Sequence, residues 1–300
     1  MFVILAATTA LALAQTDTQF AVHTGTRLDV NNFGGGIVVK AWNQNTVRVH
    51  AEHSGRDYIE FSFGPSAVVV KAASRRGPPG VVDYMINAPA WMALSLSGVS
   101  TDIEIDGTQA AVTVETVNGE VTCRGGAGYI SLKSVEGAVA LQNAKGRVEV
   151  NSVSEAITLT DVSGDITAET VSGDIKLEGI ESSNVDVSTV SGDVQYQGTI
   201  KDAGHYRFST HNGDVTIAVP DKTNATVSIA TFNGDFDSSF PVSVTGTTKH
   251  RFGFTIGTGS ARLDLETFNG DIKLRRPGQL HQDEDKDHDK DHDNDHDEDP

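Results

Sequence analysis

The chain has almost no capacity for disulfide chemistry, with a single cysteine, Cys123, among its 300 residues. One thiol excludes an internal disulfide, so stability has to come from packing and backbone pairing. Hydrophobic residues make up only 38%, too few for a thick globular core but too many for a disordered chain. After the first fourteen residues, no run approaches the ~20 apolar residues of a membrane span. Basic residues are also scarce, with 23 Lys and Arg against 41 Asp and Glu and a formal net charge of −18. No basic stripe exists to hold nucleic acid or an anionic lipid surface, which disfavours both partners. Half of that charge, −9, falls in residues 281–300, where nine Asp and two Glu face two Lys.

What the chain does have is turn residues and strand formers. Glycine is plentiful at 30 and proline modest at eight, which suits many tight turns. The apolar residues are largely Val, Ile, Leu and Phe interleaved with Thr and Ser, the composition of half-buried pleated strands. Residues 1–14 are apolar or small and end in Ala12-Leu13-Ala14 before Gln15, a small-x-small cleavage pattern after a hydrophobic run. A charged leading segment is missing, but the pattern still predicts a signal peptide and export to the periplasm, cell envelope or exterior.

An internal period organises the middle of the chain. Glycines stand at 119, 128, 137, 146, 164 and 173, nine residues apart, with Glu155 in the one vacant slot. Val112, Val121, Ile130, Val139, Val148, Ile157, Ile166 and Ile175 keep the same interval, as do Val114, Cys123, Leu132, Leu141, Val150, Leu159, Ala168 and Leu177. Alternation within each unit is the signature of a strand with one buried face. Cys123 falls on an inward position and reads as a small buried apolar side chain. A third apolar residue, as at Val117, Val135, Val153 and Val171, is expected to turn the corner and stay inside, with the following glycine taking positive φ.

Beyond Gly173 the corner recurs at Gly192, Gly213, Gly234 and Gly270, in steps of 19, 21, 21 and 36. Two strand-turn units per coil account for the first three steps, with one fixed glycine corner and one variable corner. The fold expected is all-β: a single-stranded, right-handed parallel β-solenoid. Its parts are a signal peptide (1–14), irregular N-terminal strands and cap (15–107), solenoid repeats (108–276) and a disordered acidic, His-rich tail (277–300). The structural turn motif is assigned to Gly119, Gly164, Gly173, Gly192, Gly213, Gly234 and Gly270.

At these corners, Val-Ser-Gly-Asp-Ile at 171–175 and Phe-Asn-Gly-Asp-Ile at 268–272, the sequence resembles the bacterial DUF4097-like adhesin family of β-solenoid domains. The stretch Arg27-Leu28-Asp29-Val30-Asn31-Asn32-Phe33-Gly34-Gly35 supports the resemblance, which covers about residues 20 to 275. It implies a β-solenoid fold and an adhesin-like surface role, and it carries no catalytic or binding residues over to this chain.

Three groups of residues bear on chemistry. Glu120, Ala138, Ala156, Asp174, Asp193, Asp214 and Asp235 fall on one edge, with Asp271 further along. Stacked carboxylates repel by about 1 kcal/mol in water, and a divalent cation would relieve this. The favoured alternative is that each Asp hydrogen-bonds the amides of its own turn and stays solvated. In the tail, Asp287-His288, Asp291-His292 and Asp295-His296 are candidate ligands for zinc, nickel or copper, without fixed geometry. The outward strand positions are small and mixed and lack aromatic platforms for sugar rings, which argues against a carbohydrate-active enzyme. His205 and His211 read as structural. No catalytic residue and no cofactor is assigned. The functional expectation is an exported, non-enzymatic scaffold that contacts an unknown envelope or surface macromolecule, with self-association open. A metal-binding tail is the second reading.

Overall fold

A computed structural model describes residues 13–242, 245–248 and 251–279, so most of the expected signal peptide (1–14) and all six tail metal candidates lie outside the described residues. Among the described residues the only regular secondary structure is β-strand. The N-terminal part holds β1 (Leu13–Ala21), β2 (Arg27–Asn31), β3 (Gly34–Trp42), β4 (Thr46–Ser54), β5 (Asp57–Phe63), β6 (Ala67–Ser74), β7 (Val82–Pro89), β8 (Ala93–Ser97) and β9 (Ser100–Thr108). Short strands follow: β10 (Val112–Glu115), β11 (Val121–Gly125), β12 (Ala127–Lys133), β13 (Val139–Gln142), β14 (Lys145–Asn151), β15 (Ile157–Thr160) and β16 (Ser163–Glu169). Two long strands, β17 (Ile175–Ser188) and β18 (Val194–Asn212), bend across both faces. The chain ends in β19 (Val215–Ala218), β20 (Ala225–Asn233), β21 (Phe236–Ser238), β22 (Thr245–Thr248), β23 (Arg251–Ile256), β24 (Ala261–Asn269) and β25 (Ile272–Arg275).

Pairing in the middle follows the period read from the sequence. Val112 pairs with Ile130 and Val121 with Val139, each parallel and 18 residues away, so one coil contains two strands on opposite faces. Val112, Val114, Val121 and Cys123 each point inward and are fully buried. One continuous hydrophobic cluster runs from Val22 to Leu274 between the two faces. Burying each Val, Leu or Ile contributes about 1.5–3 kcal/mol, which offsets the missing disulfides.

The ends depart from simple winding, and pairing there is mixed. β2 lies between β6 and β8, and β3 between β7 and β9, all parallel, so the segment 67–89 sits outside the first coil. Antiparallel β5 then covers β6, and β4 and β1 cover β7. At the other end β24 lies between β18 and β20, and β25 between β19 and β21, all parallel. Antiparallel β23 and β22 lie outside β20. The step of 36 residues between Gly234 and Gly270 therefore contains an insertion, the antiparallel hairpin of β22 and β23. The chain runs outward to form the coil at 225–238, turns through an antiparallel hairpin, and inserts its last coil one place back in the stack.

Candidate functional site: the stacked corner

The two edges of the coil are built differently. At the edge after β11, β13, β15 and the first half of β17, a left-handed residue turns the chain: Gly125, Asn143, Asp161 and Gly179 have φ of 100°, 54°, 53° and 65°. Asn and Asp tolerate this conformation best after glycine. The turn brings the next residue inward, and Ala144, Val162 and Ile180 are buried there. Gly164 belongs to this edge, since it pairs with Gly146. It is therefore separate from the other six assigned glycines.

At the opposite edge strand alternation continues one step further. After Val112 and Val114 the next inward residue is Thr116, and Val117 points out at 44% exposure. The expectation that the third apolar residue stays inside holds on the first edge and fails on this one. The buried hydroxyls satisfy the stacked corners: Thr116 Oγ1 donates to the Thr101 carbonyl at 3.1 Å and Ser134 Oγ to the Gly119 carbonyl at 3.0 Å. Thr210 donates to the Gly192 carbonyl and Thr267 to the Gly213 carbonyl, both at 2.9 Å. The sequence reading missed this hydroxyl column. Its signal was present in the strict alternation Val112-Val114-Thr116, Ile130-Leu132-Ser134 and Tyr206-Phe208-Thr210.

The glycines of this edge answer to contact as much as to dihedral angle. A Cβ on Gly213 would stand 2.1 Å from the Gly192 carbonyl oxygen, and one on Gly119 would stand 2.0 Å from that of Thr101. Gly173, Gly192, Gly213 and Gly270 have φ between 145° and 150°. Gly119 and Gly234 lack positive φ and are required by close approach alone. In the coil preceding that of Thr116 the roles are exchanged. Gly98 takes the inner place and Thr101 the glycine place, and a Cβ on Gly98 would meet Thr101 Cβ at 2.4 Å.

Next along the turn is the carboxylate column. Asp174 Oδ1 accepts the Asp193 amide, Asp193 the Asp214 amide, Asp214 the Asp271 amide and Asp271 the Asp235 amide, each at 2.8 Å. Asp271 thus lies between Asp214 and Asp235 instead of beyond them, a consequence of the inserted last coil. The amides that each Asp caps belong to the next coil, not to its own turn. Lys273 Nζ lies 2.9 Å from Asp214 Oδ2 and offsets part of the repulsion. Burial, together with the charges of Asp214 and Asp174, holds the Asp193 carboxyl above its ordinary pKa. Among the described residues no cluster of three or more His, Cys, Asp or Glu is arranged to hold a metal.

The outward residues of this edge form an apolar ridge. Val99, Val117, Val135, Val153, Val171 and Val190 are all 40–47% exposed and follow one another coil by coil. Phe33 precedes Val99 in the stack, the Phe33 carbonyl accepting the Ser100 amide at 2.9 Å. At the other end His211 stacks on Phe268, and Phe268 on Phe232, with ring centroids 4.9 Å apart in both pairs. His211 is a ridge residue and not a buried one. At about 4.8 Å per coil the ridge is about 43 Å long. Monomers rarely expose so continuous an apolar feature without a partner for it.

Two shallow grooves flank this architecture. One, of about 440 Å³, runs beside the aromatic end of the ridge between Arg207, Arg251 and Glu266. Its one carboxylate, Glu266, lies 3.9 Å from Arg251, and no second acid stands opposite. The other groove gathers Asp102, Glu104, Glu120 and Arg124. There Asp102 accepts the Glu120 amide at 2.9 Å and Glu104 faces Arg124 at 3.4 Å, so these groups hold the coils together. Cys123 is fully buried and its thiol is pushed up to about 12 by desolvation, which leaves it unreactive.

Fold and corner together define an all-β, solenoid-like protein with stacked turns, an exposed apolar edge and no assembled catalytic group among the described residues. Residues 168–275 match the model of the family described as Toastrack DUF4097. The resemblance read from the glycine corners is thereby found independently over that span. Search of curated proteins returned no match. Among solved structures, a "putative adhesin" from Bacteroides fragilis NCTC 9343 is similar at 10% identity and a TM-score of 0.46, covering 87% of this chain and 97% of its own. A "putative lipid binding protein" from Parabacteroides distasonis ATCC 8503 is similar at 8% identity and 0.44, covering 87% and 97%. A third, a "putative adhesin" from Parabacteroides merdae ATCC 43184, stands at 9% and 0.39, covering 88% and 96%.

Proposed function

We propose that this protein is an exported, non-enzymatic scaffold of the periplasm, cell envelope or cell surface. It is a single-stranded solenoid, wound right-handed by the general chirality of parallel crossovers, that contacts another macromolecule through its corner ridge. The observation that carries this reading is the column of exposed Val and Phe side chains, interrupted once by His211, along one edge of the stack. The deciding experiment is capture of envelope material by the native protein and by a Val135→Asp/Val153→Asp double variant. Both positions are exposed, so the variant should fold normally and lose the captured partner. Equal capture by a folded variant overturns the ridge as the contact.

The tail supports a second reading on its own sequence, the Asp-His pairs at 287–288, 291–292 and 295–296. Imidazole and carboxylate ligands would buffer zinc or nickel outside the cell. Calorimetry on the full chain and on a form ending at Gln279 separates the readings, and absence of heat from the full chain removes this one.

A further inference from the structure

The groove beside the aromatic end of the ridge is one part of a longer trough. It shares Arg207, Ala230, Arg251 and Glu266 with a hollow of about 290 Å³, which in turn shares Ser228, Arg262 and Asp264 with one of about 570 Å³. The trough crosses the face made by β18, β24 and β20, from Phe268 at the ridge to Ser260 at the variable edge. Seven strand steps separate Ala261 from Phe268, so it is about 23 Å long. Its floor is low because β20 turns only Thr226, Ser228 and Ala230 outward. The strands on either side carry Arg262, Asp264 and Glu266 and, across from Ala230, Arg251.

Three arginines face two carboxylates in this trough, a net +1 on a protein whose first 280 residues carry −9 in total. Arg262 meets Asp264 through Nε at 2.7 Å, and its side chain is 67% exposed. Arg207 stands in register between Asp186 and Asp264, and among the described residues it forms no ion pair. A guanidinium without a partner offers a fork of N–H donors to a carboxylate. The chain brings its own carboxylates to the open end of the trough. β25 ends at the variable edge, where Arg276 Nε donates to Asp221 Oδ1 at 2.6 Å. The loop holding Asp221 leads through Asn224 into β20, and the Asn224 carbonyl accepts Ser260 Oγ at 3.3 Å at the mouth of the trough.

We propose that the acidic C-terminal segment, residues 281–300, docks in this trough on its own chain, its carboxylates on Arg207 and Arg262. Nine Asp and two Glu against two Lys give the segment a charge of −9, opposite in sign to the trough. Twenty residues at about 3.3 Å each reach about 65 Å, enough to cross the trough from an exit at its mouth. A tethered segment acts at a millimolar effective concentration, so a Kd of about 0.1 mM for the free segment suffices for tenfold occupancy. An untethered acidic chain has to displace it. The docked segment leaves the valines of the ridge clear, so its place does not depend on what the ridge contacts.

The test is alkylation by N-ethylmaleimide of a thiol placed in the trough floor, Ser228→Cys, in the full-length chain. Ser228 is exposed, whereas Cys123 is fully buried and stays unreacted. At low salt the new thiol should react at least tenfold more slowly than in a form ending at Gln279. At about 0.5 M salt, where charges more than about 4 Å apart are screened, the two forms should react alike. Arg207→Gln combined with Arg262→Gln should open the full-length chain at low salt. Glu115→Cys, on the same face but far along the stack, should react equally in both forms. Equal rates at Ser228→Cys in the two forms at low salt overturn the inference. So does protection that grows with protein concentration, which places the segment on another copy, or protection of the full-length chain that arises only when a separate acidic polymer is added.

Discussion

The two edges of each coil share a strand ladder but obey different constraints. At the hydroxyl-glycine edge most coils present a buried Ser or Thr, an outward residue, a polar residue and a close backbone approach. At the opposite edge the chain passes from strand to strand through loops that lengthen from Arg124–Ala127 to the long bends inside β17 and β18. Register shifts occur there, between Glu178 and Ile180 and between Ser182 and Asn184, without disturbing the corner that follows. Close approach occurs at both edges, since a Cβ on Gly164 of the variable edge would also stand 2.0 Å from the Gly146 carbonyl oxygen. The fixed corner keeps it at Gly192, Gly213, Gly270 and Gly234, in the coils where the other edge lengthens.

The largest effect should come from filling that space. Gly213→Ala places a methyl inside the Gly192 carbonyl at a φ of 145° and should cost about 3 kcal/mol or more. Gly128→Ala on the variable edge, with φ of 85° and nothing within 4 Å of the added carbon, should cost only about 1–2 kcal/mol. Urea midpoints of the two variants measure the comparison directly. Equal losses would show that dihedral strain alone fixes the corner.

A smaller loss is expected from the hydroxyl column. Thr210→Val keeps the shape and removes the bond to the Gly192 carbonyl, which should cost about 1–2 kcal/mol. Thr216→Val, at an outward half-buried position, serves as the control and should change stability by less than about 0.5 kcal/mol. A loss of similar size in both would mean that Thr210 acts through strand propensity instead of its bond.

These contrasts also show what was legible in the sequence. The period of nine, the two strands per coil and the separation into fixed and variable corners could be read because burial and alternation repeat locally. The order of the last coils could not, since Thr231-Phe232-Asn233-Gly234-Asp235 and Thr267-Phe268-Asn269-Gly270-Asp271 are the same five residues. Either could stack on Gly213, and the choice lies in the antiparallel hairpin between them. The ridge was misplaced for a different reason. Valine at a corner satisfies an apolar pattern whether it points in or out, and only the preceding Thr or Ser settles the phase.

One coil departs from its own pattern. With Glu155 in the glycine slot, the amide turns to Ser152 Oγ at 3.3 Å, whereas the corresponding Gly119 and Gly173 amides donate to the next coil at 2.9 Å. Glu155→Gly should restore a backbone bond of about 1 kcal/mol against about 0.5–1 kcal/mol of added chain entropy. The expected net gain is below about 1 kcal/mol, measured as a raised midpoint. A clear loss would mean that the Ser152 contact is the better arrangement.

The carboxylate column should give the smallest effect and the one that depends on pH. Because the Asp193 carboxyl is held above its ordinary pKa by burial and by Asp214 and Asp174, the native state keeps a proton there at pH values where the unfolded chain has lost it. Stability from this group therefore falls as pH rises above the unfolded value of about 3.9. Asp193→Asn removes the charge while its carbonyl oxygen still accepts the Asp214 amide, now at 2.8 Å. The variant should be slightly more stable at pH 7, within about 1 kcal/mol because the site is partly solvated, and equal to the parent near pH 3. A loss of stability at pH 7 that disappears on acidification would reverse the sign and show that the column holds its coils together by charge, through a bound cation, and not by amide capping.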